Sequence, residues 1–192
     1  MLHCTIDARA ALPLTAGHVR RLWPSDLAPA RDHLLRLDPE TRRERFSGAV
    51  SDAYLQEHAR QALLSDGLVL GYRVGNAVRG MAELRGMAPG VAEGAFSVEA
   101  GHRRRGIGHA LFRRLLLAAR NRDIRTLHLR CMPDNRAMQA LARRHGARLV
   151  FDGDAVLGEV ATEAPTVMSL WQEALAEHLA LPLALYDRRP VL

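Results

Sequence analysis

The spacing of apolar residues changes along the chain, and the changes mark out helices and strands. Up to about residue 65 the apolar positions mostly recur every three or four residues, which is the period of a helix. From Leu68 onward, short apolar runs are separated by turn signals, and Gly75-Asn76 predicts a hairpin between two of them. The chain is therefore predicted to be helix-rich at first and to continue with alternating strands and helices.

The boundaries of these segments rest on capping and turn residues. Ser25 or Asp26 is suited to cap the first helix, Ser51 the third, and Asp134 a later helix that ends before Gly146. Strands are predicted at residues 18–22, 68–74, 77–85, 92–98, 126–131, 147–151 and 156–161, with a loop at 86–90. Helices are predicted at residues 25–37, 39–46, 51–64, 107–122, 134–145 and 167–185.

A strand meander followed by strand–helix–strand crossovers is typical of a mixed sheet with helices on both faces. We predict an α/β (α+β) fold whose mostly antiparallel central sheet has about six to seven strands. Residues 1–17 are interpreted as an N-terminal leader segment, residues 18–163 as the functional domain, and residues 164–192 as a C-terminal helical extension. The extension is expected to pack on the sheet or to form the contact of a homodimer.

The charge of the chain narrows its possible partners. All 27 basic residues are arginine, because the sequence contains no lysine, and the formal net charge is +6. Arginine suits planar anions, so the candidate partners are nucleic acid, an acidic protein or a phosphate-rich cofactor. Nucleic acid is disfavoured, because the arginines are spread along the chain and no RNP, helix-turn-helix or zinc signature occurs.

The spacing of cysteines and histidines argues against a metal site, and the length of the apolar runs argues against a secreted or membrane-spanning protein. Cys4 and Cys131 lie far apart, and neither they nor the scattered histidines have the spacing of metal ligands. The first residues lack the apolar run of a signal peptide, and no run elsewhere is long enough to span a bilayer. We expect a cytoplasmic protein without a metal site or membrane association.

Chemistry is concentrated in a glycine-containing turn between a strand and a helix. After the strand that ends at Val98, the run Arg103-Arg104-Arg105-Gly106-Ile107-Gly108 leads directly into a helix. Free N–H groups in the turn and in the first helical turn converge on one point and favour an anion such as phosphate. The run is not a Walker P-loop, because GK[ST] is missing, and it lacks the third glycine of GxGxxG.

These residues resemble the GCN5-related N-acetyltransferase (GNAT) superfamily. Its signature [QR]xxGxG/A is met by residues 103–108, and its run VxPxxRxRGIG by Val98 onward, with Ala100 at the proline position. Residues 135–147 match NxxAxxLYxxxGF in the asparagine, the leucine and the glycine, with Met138 at the alanine position. The resemblance covers about residues 18–163, and it implies the GNAT fold and a bacterial N-acetyltransferase.

The resemblance also implies roles for individual positions toward acetyl-coenzyme A (acetyl-CoA). The backbone of Phe96, Ser97 and Val98 would pair with the pantetheine arm where their strand splays from its neighbour, and the Val98 N–H would face the thioester carbonyl. Asn135 would touch the cofactor from the following helix. The pyrophosphate would be held by Arg103, Arg104, Arg105, Gly106, Ile107 and Gly108.

Acid and base residues are less well defined. The acceptor amine must lose a proton, and the leaving thiolate often receives one. The usual proton donor is the tyrosine of LYxxxGF, which is Ala142 here. Glu93 is the leading candidate for the base and Glu83 the second, and each is equally suited to pair with a surface arginine. Alternation places Glu93 and Ser97 on one face of the strand, unless a bulge shifts the pattern.

Two functions remain open at this point. The first is an acetyl-CoA-dependent N-acetyltransferase that acts on a primary amine of a small molecule or a protein by direct attack. The second is a coenzyme A-binding regulatory module with weak or no catalysis, which the missing tyrosine favours. Neither the acceptor nor the oligomeric state follows from the sequence.

Overall fold

The structure, a computed structural model, describes residues 17–186, and their side chains as far as residue 178. Cys4 and residues 1–16 of the predicted leader segment lie outside the described residues. The strands are β1 (Gly17–Leu22), β2 (Leu68–Val74), β3 (Ala77–Ala88), β4 (Val91–Val98), β5 (Thr126–Cys131), β6 (Arg148–Asp152) and β7 (Ala155–Ala161). The α-helices are α1 (Leu27–Leu35), α2 (Pro39–Phe46), α3 (Asp52–Leu64), α4 (Ile107–Asn121), α5 (Arg136–Arg144) and α6 (Val167–Tyr186).

All seven strands form one mixed sheet in the order β1-β2-β3-β4-β5-β7-β6. Neighbouring strands are antiparallel except β4 and β5, which are parallel and are connected by α4. A parallel pair needs such a crossover, because a tight turn can join only antiparallel strands. The predicted mixed, mostly antiparallel sheet is confirmed.

Helices cover both faces of the sheet. On one face α4 buries Ile107, Leu111 and Leu115, which recur every four residues and therefore lie along one side of the helix. On the other face α1 and α3 bury Leu34 and Leu55 against strand side chains. Each face thus has its own apolar core, and the sheet between them is fixed in place.

α2 begins where the sequence changes from apolar to charged. α1 ends at Leu35 rather than at the predicted residue 37, and Asp38 then caps α2 by accepting a hydrogen bond from the Thr41 N–H at 3.0 Å. Pro39 suits the first turn of α2, where no N–H is needed for the helix. α2 is thereby placed over β4, on the same face as α1 and α3.

Two further differences from the predicted boundaries lie near the site. β3 continues to Ala88 instead of ending at residue 85, because a bulge between Gly86 and Ala88 lets the strand bend and remain paired with β4. The cap of α5 is Asn135 and not Asp134, since the Asn135 side chain accepts the Met138 N–H at 2.8 Å.

β4 and β5 are neighbours only over the first half of β4. Their pairing runs from Val91 opposite Thr126 to Gly94 opposite Leu129. β4 remains paired with β3 as far as Val98. The second half of β4 therefore has an unpaired edge, which faces a gap between β4 and β5.

α6 is fixed to the rest of the fold through the end of α4. The Asn121 amide donates to the Ser169 carbonyl oxygen at 2.9 Å and to the Glu173 carboxylate at 2.6 Å, and Arg122 pairs with Glu173 at 2.8 Å. Within the described part of the chain, no helix has both the length and the apolar character needed to cross a membrane.

Candidate functional site

A cavity of about 850 Å³ opens at the gap between β4 and β5. Its walls are the second half of β4, the glycine turn with the start of α4, the end of β5, and one side of α2 and of α5. Ligand pockets in proteins have volumes of roughly 300–1,000 Å³, so the space suits an extended cofactor. The site residues predicted from the glycine turn, β4 and Asn135 meet in this cavity, with the exception of Arg105.

The glycine turn has the backbone of an anion cradle. Arg104 and Gly106 have left-handed backbone conformations, with φ of 60° and 80°, and α4 begins at the next residue. Left-handed residues in a turn can direct neighbouring N–H groups toward one point, and the first N–H groups of a long helix add to them. The turn therefore offers a site for a negatively charged group at the cavity wall.

The two glycines of the turn serve different purposes. Gly106 supplies the positive φ, and a Cβ atom there would meet nothing within 4 Å. Gly108 lies inside α4, and a Cβ atom there would lie 3.3 Å from Leu141 Cδ2 on α5. Gly108 thus allows α4 and α5 to approach closely, in addition to keeping the cradle open.

The three arginine side chains of the turn diverge. Arg103 turns back toward α2, where it donates to the Asp38 carboxylate at 2.6 Å and to the Thr41 hydroxyl. Arg103 and Arg104 line the cavity, whereas Arg105 is exposed outside its wall. Arg103 therefore fixes the turn to the start of α2, and Arg104 remains the arginine that is available to a ligand.

The main chain of β4 presents hydrogen-bonding groups to the gap. The Glu99 N–H donates to the Arg79 carbonyl oxygen of β3 at 3.1 Å. The register between β4 and β3 is continuous from Val98 back to Ala92, so no bulge changes which main-chain groups of β4 face β3. Because N–H and C=O groups of alternate residues point to opposite sides of a strand, those of Phe96 and Val98 point away from β3 and into the gap. The expected splay of this strand is present.

The side chains of β4 alternate in the same way. Phe96 lies on the α4 face, stacked on Phe112 with a centroid distance of 4.9 Å. His145, at the end of α5, stacks on the other side of Phe112 at 4.2 Å, and His109 stacks on His145 at 4.7 Å. This column of rings supports the cavity wall beneath the start of α4.

Asn135 reaches the cavity from the loop before α5. Its side-chain oxygen accepts the Met138 N–H at 2.8 Å and so caps the helix. The residue lines the cavity, together with Met138 and Leu141 of the same helix. The asparagine therefore has a structural task in addition to the cofactor contact that was predicted for it.

The two predicted base candidates have different surroundings. Glu93 lines the cavity, and among the described residues it has no ion pair. Glu83 is buried outside the cavity wall, with Arg45 at 2.7 Å and His58 at 3.1 Å from its carboxylate. Burial by itself raises the pKa of Glu83, but the charge of Arg45 and the His58 hydrogen bond lower that pKa to about 2. Glu83 is thus held as a carboxylate.

Glu44 is a second acidic residue of the cavity that the sequence did not single out. It lies on α2 and lines the same cavity as Glu93. Burial raises the pKa of Glu44, and repulsion from Glu40 raises it further. The cavity therefore carries two carboxylates, Glu44 and Glu93, among the arginines that line it.

A buried hydrogen-bonded row connects β4 to α1. His33 Nε2 lies 2.9 Å from the Ser97 hydroxyl, and His33 Nδ1 lies 3.2 Å from the Glu99 carboxylate. His33 and Glu99 were not predicted from the sequence. His33 precedes Ser97 by 64 positions, and no motif connects these two residues. Ser97 belongs to the cavity wall.

Other candidate groups near the cavity are inert or structural. Ala142, at the position of the usual tyrosine, is 2% exposed and belongs to the apolar core. Burial raises the pKa of the Cys131 thiol, which therefore stays protonated at neutral pH. Among residues 17–178 no group of three or more metal-ligating side chains occurs.

Comparison of the fold with solved structures gives several similar proteins. The GNAT domain of PAT from Streptomyces lividans (S. lividans) has a TM-score of 0.67 and 21% identity, over 74% of this chain and 89% of that one. The yncA protein of Salmonella typhimurium, solved with its cofactor acetyl-CoA, has a TM-score of 0.60 and 16% identity, over 79% and 99%. PaiA N-acetyltransferase of Thermoplasma acidophilum, solved with coenzyme A, has a TM-score of 0.57 and 18% identity, over 76% and 99%.

Sequence comparison gives the same assignment. No curated protein matches the chain by sequence. The profile described as Acetyltransferase (GNAT) family matches residues 32–147, which is more than half of the chain and includes the end of α1, the glycine turn and α5. The chain belongs to the acetyltransferase (GNAT) family.

Proposed function

We propose that the protein is an N-acetyltransferase that transfers an acetyl group from acetyl-CoA to a primary amine of a small molecule or a protein. The observation that carries this proposal is the unpaired edge of β4 beside the glycine turn. A ligand that has both a peptide-like arm and a pyrophosphate matches these two features, and coenzyme A has both. The solved structures of yncA and PaiA, which contain acetyl-CoA and coenzyme A, support this proposal.

The cofactor is proposed to bind as an added strand in the gap. Its pantetheine arm accepts and donates hydrogen bonds at Phe96 and Val98, whose backbone groups point there. Its pyrophosphate lies on the N–H groups of the turn from Arg103 to Gly108, with Arg104 as the nearby free guanidinium. Asn135 contacts the cofactor from the opposite wall.

The chemistry is a direct attack of the amine on the thioester carbon. In the proposed complex the Val98 N–H stabilises the developing oxyanion. Glu93, the leading base candidate, accepts the first proton of the acceptor ammonium through water. Glu44 lies in the same cavity, and the two carboxylates favour a cationic acceptor. The thiol of coenzyme A is acidic enough to leave as thiolate without a tyrosine at position 142.

A regulatory module that binds coenzyme A without turnover is the second candidate. Ala142 supports it, because this position offers no proton donor, and Glu83 supports it, because its ion pair removes one of the two predicted bases. The two functions differ in a single observable, which is the release of free thiol in the presence of amines.

Calorimetric titration with acetyl-CoA tests the cofactor proposal. Arg104→Glu places a negative charge at the cavity wall and should weaken binding by at least about tenfold. Arg113→Glu, on the exposed part of α4 outside the cavity, has the same change of charge and should leave the affinity nearly unchanged. Equal loss in both variants, or no binding by the folded wild-type protein, would contradict the proposed site. A panel of primary amines, assayed for thiol release, then separates the enzyme from the regulatory module.

A further inference from the structure

The row formed by Ser97, His33 and Glu99 has the order of a serine–histidine–acid arrangement. His33 is completely buried, and its two ring nitrogens contact the Ser97 hydroxyl at 2.9 Å and the Glu99 carboxylate at 3.2 Å. In such an arrangement the acid orients the histidine, and the histidine accepts a proton from the hydroxyl. α1 is also held by apolar contacts, among them those of Ala30 and Leu34.

The surroundings of His33 determine which nitrogen carries the proton. The Glu99 carboxylate accepts from Arg36 at 2.9 Å and from Arg79 at 2.9 Å. Burial by itself raises the pKa of Glu99, but hydrogen bonds from His33 and Arg79 lower it to about 2, so Glu99 is ionised and can only accept. Burial lowers the pKa of His33, which is therefore neutral at pH 7. The single N–H lies on Nδ1, and Nε2 accepts the Ser97 proton.

The charged groups that face His33 come from four elements. Arg36 directly follows α1, the helix of His33, Glu83 and Arg79 lie on β3, and Glu99 follows β4. His102, in the turn after β4, approaches the same Glu99 carboxylate at 3.9 Å. Attraction to Glu99 and Glu83 favours an imidazolium at His33, while Arg36 opposes it. His33 thus has one ionised carboxylate in direct contact that can stabilise an added proton.

Ser97 is closer to the reacting atoms than Glu93 is. It precedes Val98, whose N–H points into the gap, and it lines the cavity. Four residues of strand separate the Cα atoms of Glu93 and Ser97 by roughly 13 Å. Both side chains point to the same face of β4, so Ser97 lies nearer than Glu93 to Val98, where the thioester carbonyl is proposed to bind.

We propose that Ser97, His33 and Glu99 form a proton relay that removes the second proton of the attacking amine. This inference rests on the proposed acetyl transfer. Attack by the neutral amine forms the new C–N bond and a tetrahedral intermediate with a positively charged nitrogen. That nitrogen gives a proton to Ser97 Oγ, while the Ser97 hydroxyl proton moves to His33 Nε2.

The steps that complete the reaction need no reactant besides the amine and acetyl-CoA. The C–S bond breaks, and its electron pair leaves with sulfur as the thiolate of coenzyme A. The imidazolium of His33, paired with Glu99, then returns its proton through Ser97 to the thiolate. The products are the acetylated amine and coenzyme A with a free thiol. Ser97 is the catalytic residue of this relay, while His33 acts through Ser97 and Glu99 orients His33.

The variant His33→Gln tests the relay with little change in packing. A glutamine can donate its amide N–H to Glu99 and accept the Ser97 hydroxyl proton, but it cannot bind an added proton. We expect kcat to fall by about 10²-fold, with the affinity for acetyl-CoA and the Tm nearly unchanged. The part of the fall of the wild-type kcat toward low pH that comes from protonation of His33 should be absent in this variant, whereas the part that comes from Glu93 should remain. Ser97→Ala should lose as much activity, and Ser97→Thr should restore part of it.

The readouts separate failure of the relay from failure of the proposed function. Rates are measured as thiol release from acetyl-CoA with ethylamine, spermidine and a lysine-containing peptide. A wild-type protein that binds acetyl-CoA but releases no thiol contradicts acetyl transfer and with it the relay, whereas an active protein leaves the relay to be decided by the variants and by the His33 tautomer. NMR of the histidine ring nitrogens should show the Nδ1–H form, and an Nε2–H form would overturn the relay. An unchanged kcat and pH profile in His33→Gln would also overturn it, as would an acetyl group found on Ser97, which would make Ser97 a nucleophile.

Discussion

Arg45 of α2 reaches down to β3, where its guanidinium lies 2.7 Å from the carboxylate of Glu83. The two side chains are only 13% and 8% exposed. Arg45 also lines the cavity, so the pair connects the wall of the site to the buried part of the sheet. Because α2 has few apolar contacts of its own, this ion pair is one of the groups that hold it over β4.

Loss of the Glu83 charge should destabilise the fold. Glu83→Gln leaves Arg45 and His58 without their anion in a buried site, which should lower the free energy of unfolding by about 3 kcal/mol. Urea unfolding at pH 7 measures this difference. Glu57→Gln, on the exposed face of α3 where Glu57 pairs with Arg60, is the matched control and should have little effect. Similar small effects of the two substitutions would show that the buried pair does not stabilise α2.

The same pair should make stability depend on pH. The pKa of Glu83 is lowered from its ordinary value of 4.5 to about 2, so the unfolded chain takes up the proton first as the pH falls. The stabilisation is therefore complete above pH 4.5 and is lost as the pH falls toward 2. The difference in stability between the wild type and Glu83→Gln should shrink across this range. A difference that stays constant down to pH 2.5 would contradict the assignment of the shift to Glu83.

Glu93 should affect catalysis and not stability. Glu93→Gln removes the proposed first base while retaining size and polarity, and it breaks no ion pair among the described residues. We expect kcat to fall by about 10²-fold and the Tm to remain unchanged. The assay is thiol release with the amine panel, alongside thermal unfolding. Full activity of Glu93→Gln would exclude Glu93 as the base.

Gly106 should be needed for cofactor binding because of its backbone conformation. Alanine at φ of 80° is strained, and the turn must shift to relieve the strain. We expect Gly106→Ala to weaken acetyl-CoA binding by about tenfold, as measured by calorimetry. Gly153→Ala, at φ of 56° in the turn between β6 and β7, introduces comparable strain away from the cavity. Its affinity should equal that of the wild type, and a matching loss would show that the effect is general.

The Val98 N–H can be removed without a loss of sheet pairing, because it points into the gap. Val98→Pro deletes this donor, whereas Val98→Ala keeps it and only shortens the side chain. Removal of one such donor is expected to lower kcat by about 10²–10³-fold, with a smaller effect on folding. Circular dichroism and thiol release measure the two effects. Equal activity of the proline and alanine variants would exclude Val98 as an oxyanion donor.

Local signals in the sequence predicted most of the fold and one half of the site. The glycine turn and α4 follow one another directly, so the anion cradle at Gly106 was predicted from the residues, while the roles of Arg104 and Val98 followed from the family resemblance. The bulge that extends β3 to Ala88 was missed, because it depends on pairing with β4 and not on the strand itself. Asn135 was recognised as a motif residue, while its capping role was assigned to its neighbour Asp134.

The other half of the site could not be predicted, because it depends on contacts between distant parts of the chain. Nothing near His33 indicates that it meets Ser97, since the contact exists only after α1 packs on the sheet. The ion pair of Arg45 with Glu83 likewise follows from the placement of α2. Glu93 and Glu83 are similar in the sequence, and only burial distinguishes them.

The unpaired edge of β4 has a consequence for how this protein can change over evolutionary time. Its hydrogen-bonding groups belong to the main chain, which every amino acid except proline supplies equally. Substitutions therefore alter contacts to the acceptor, which depend on side chains such as Glu93 and Glu44, more readily than they alter main-chain contacts to the cofactor. A descendant that lost the proposed acetyl transfer would therefore keep the main-chain groups that are available to bind coenzyme A.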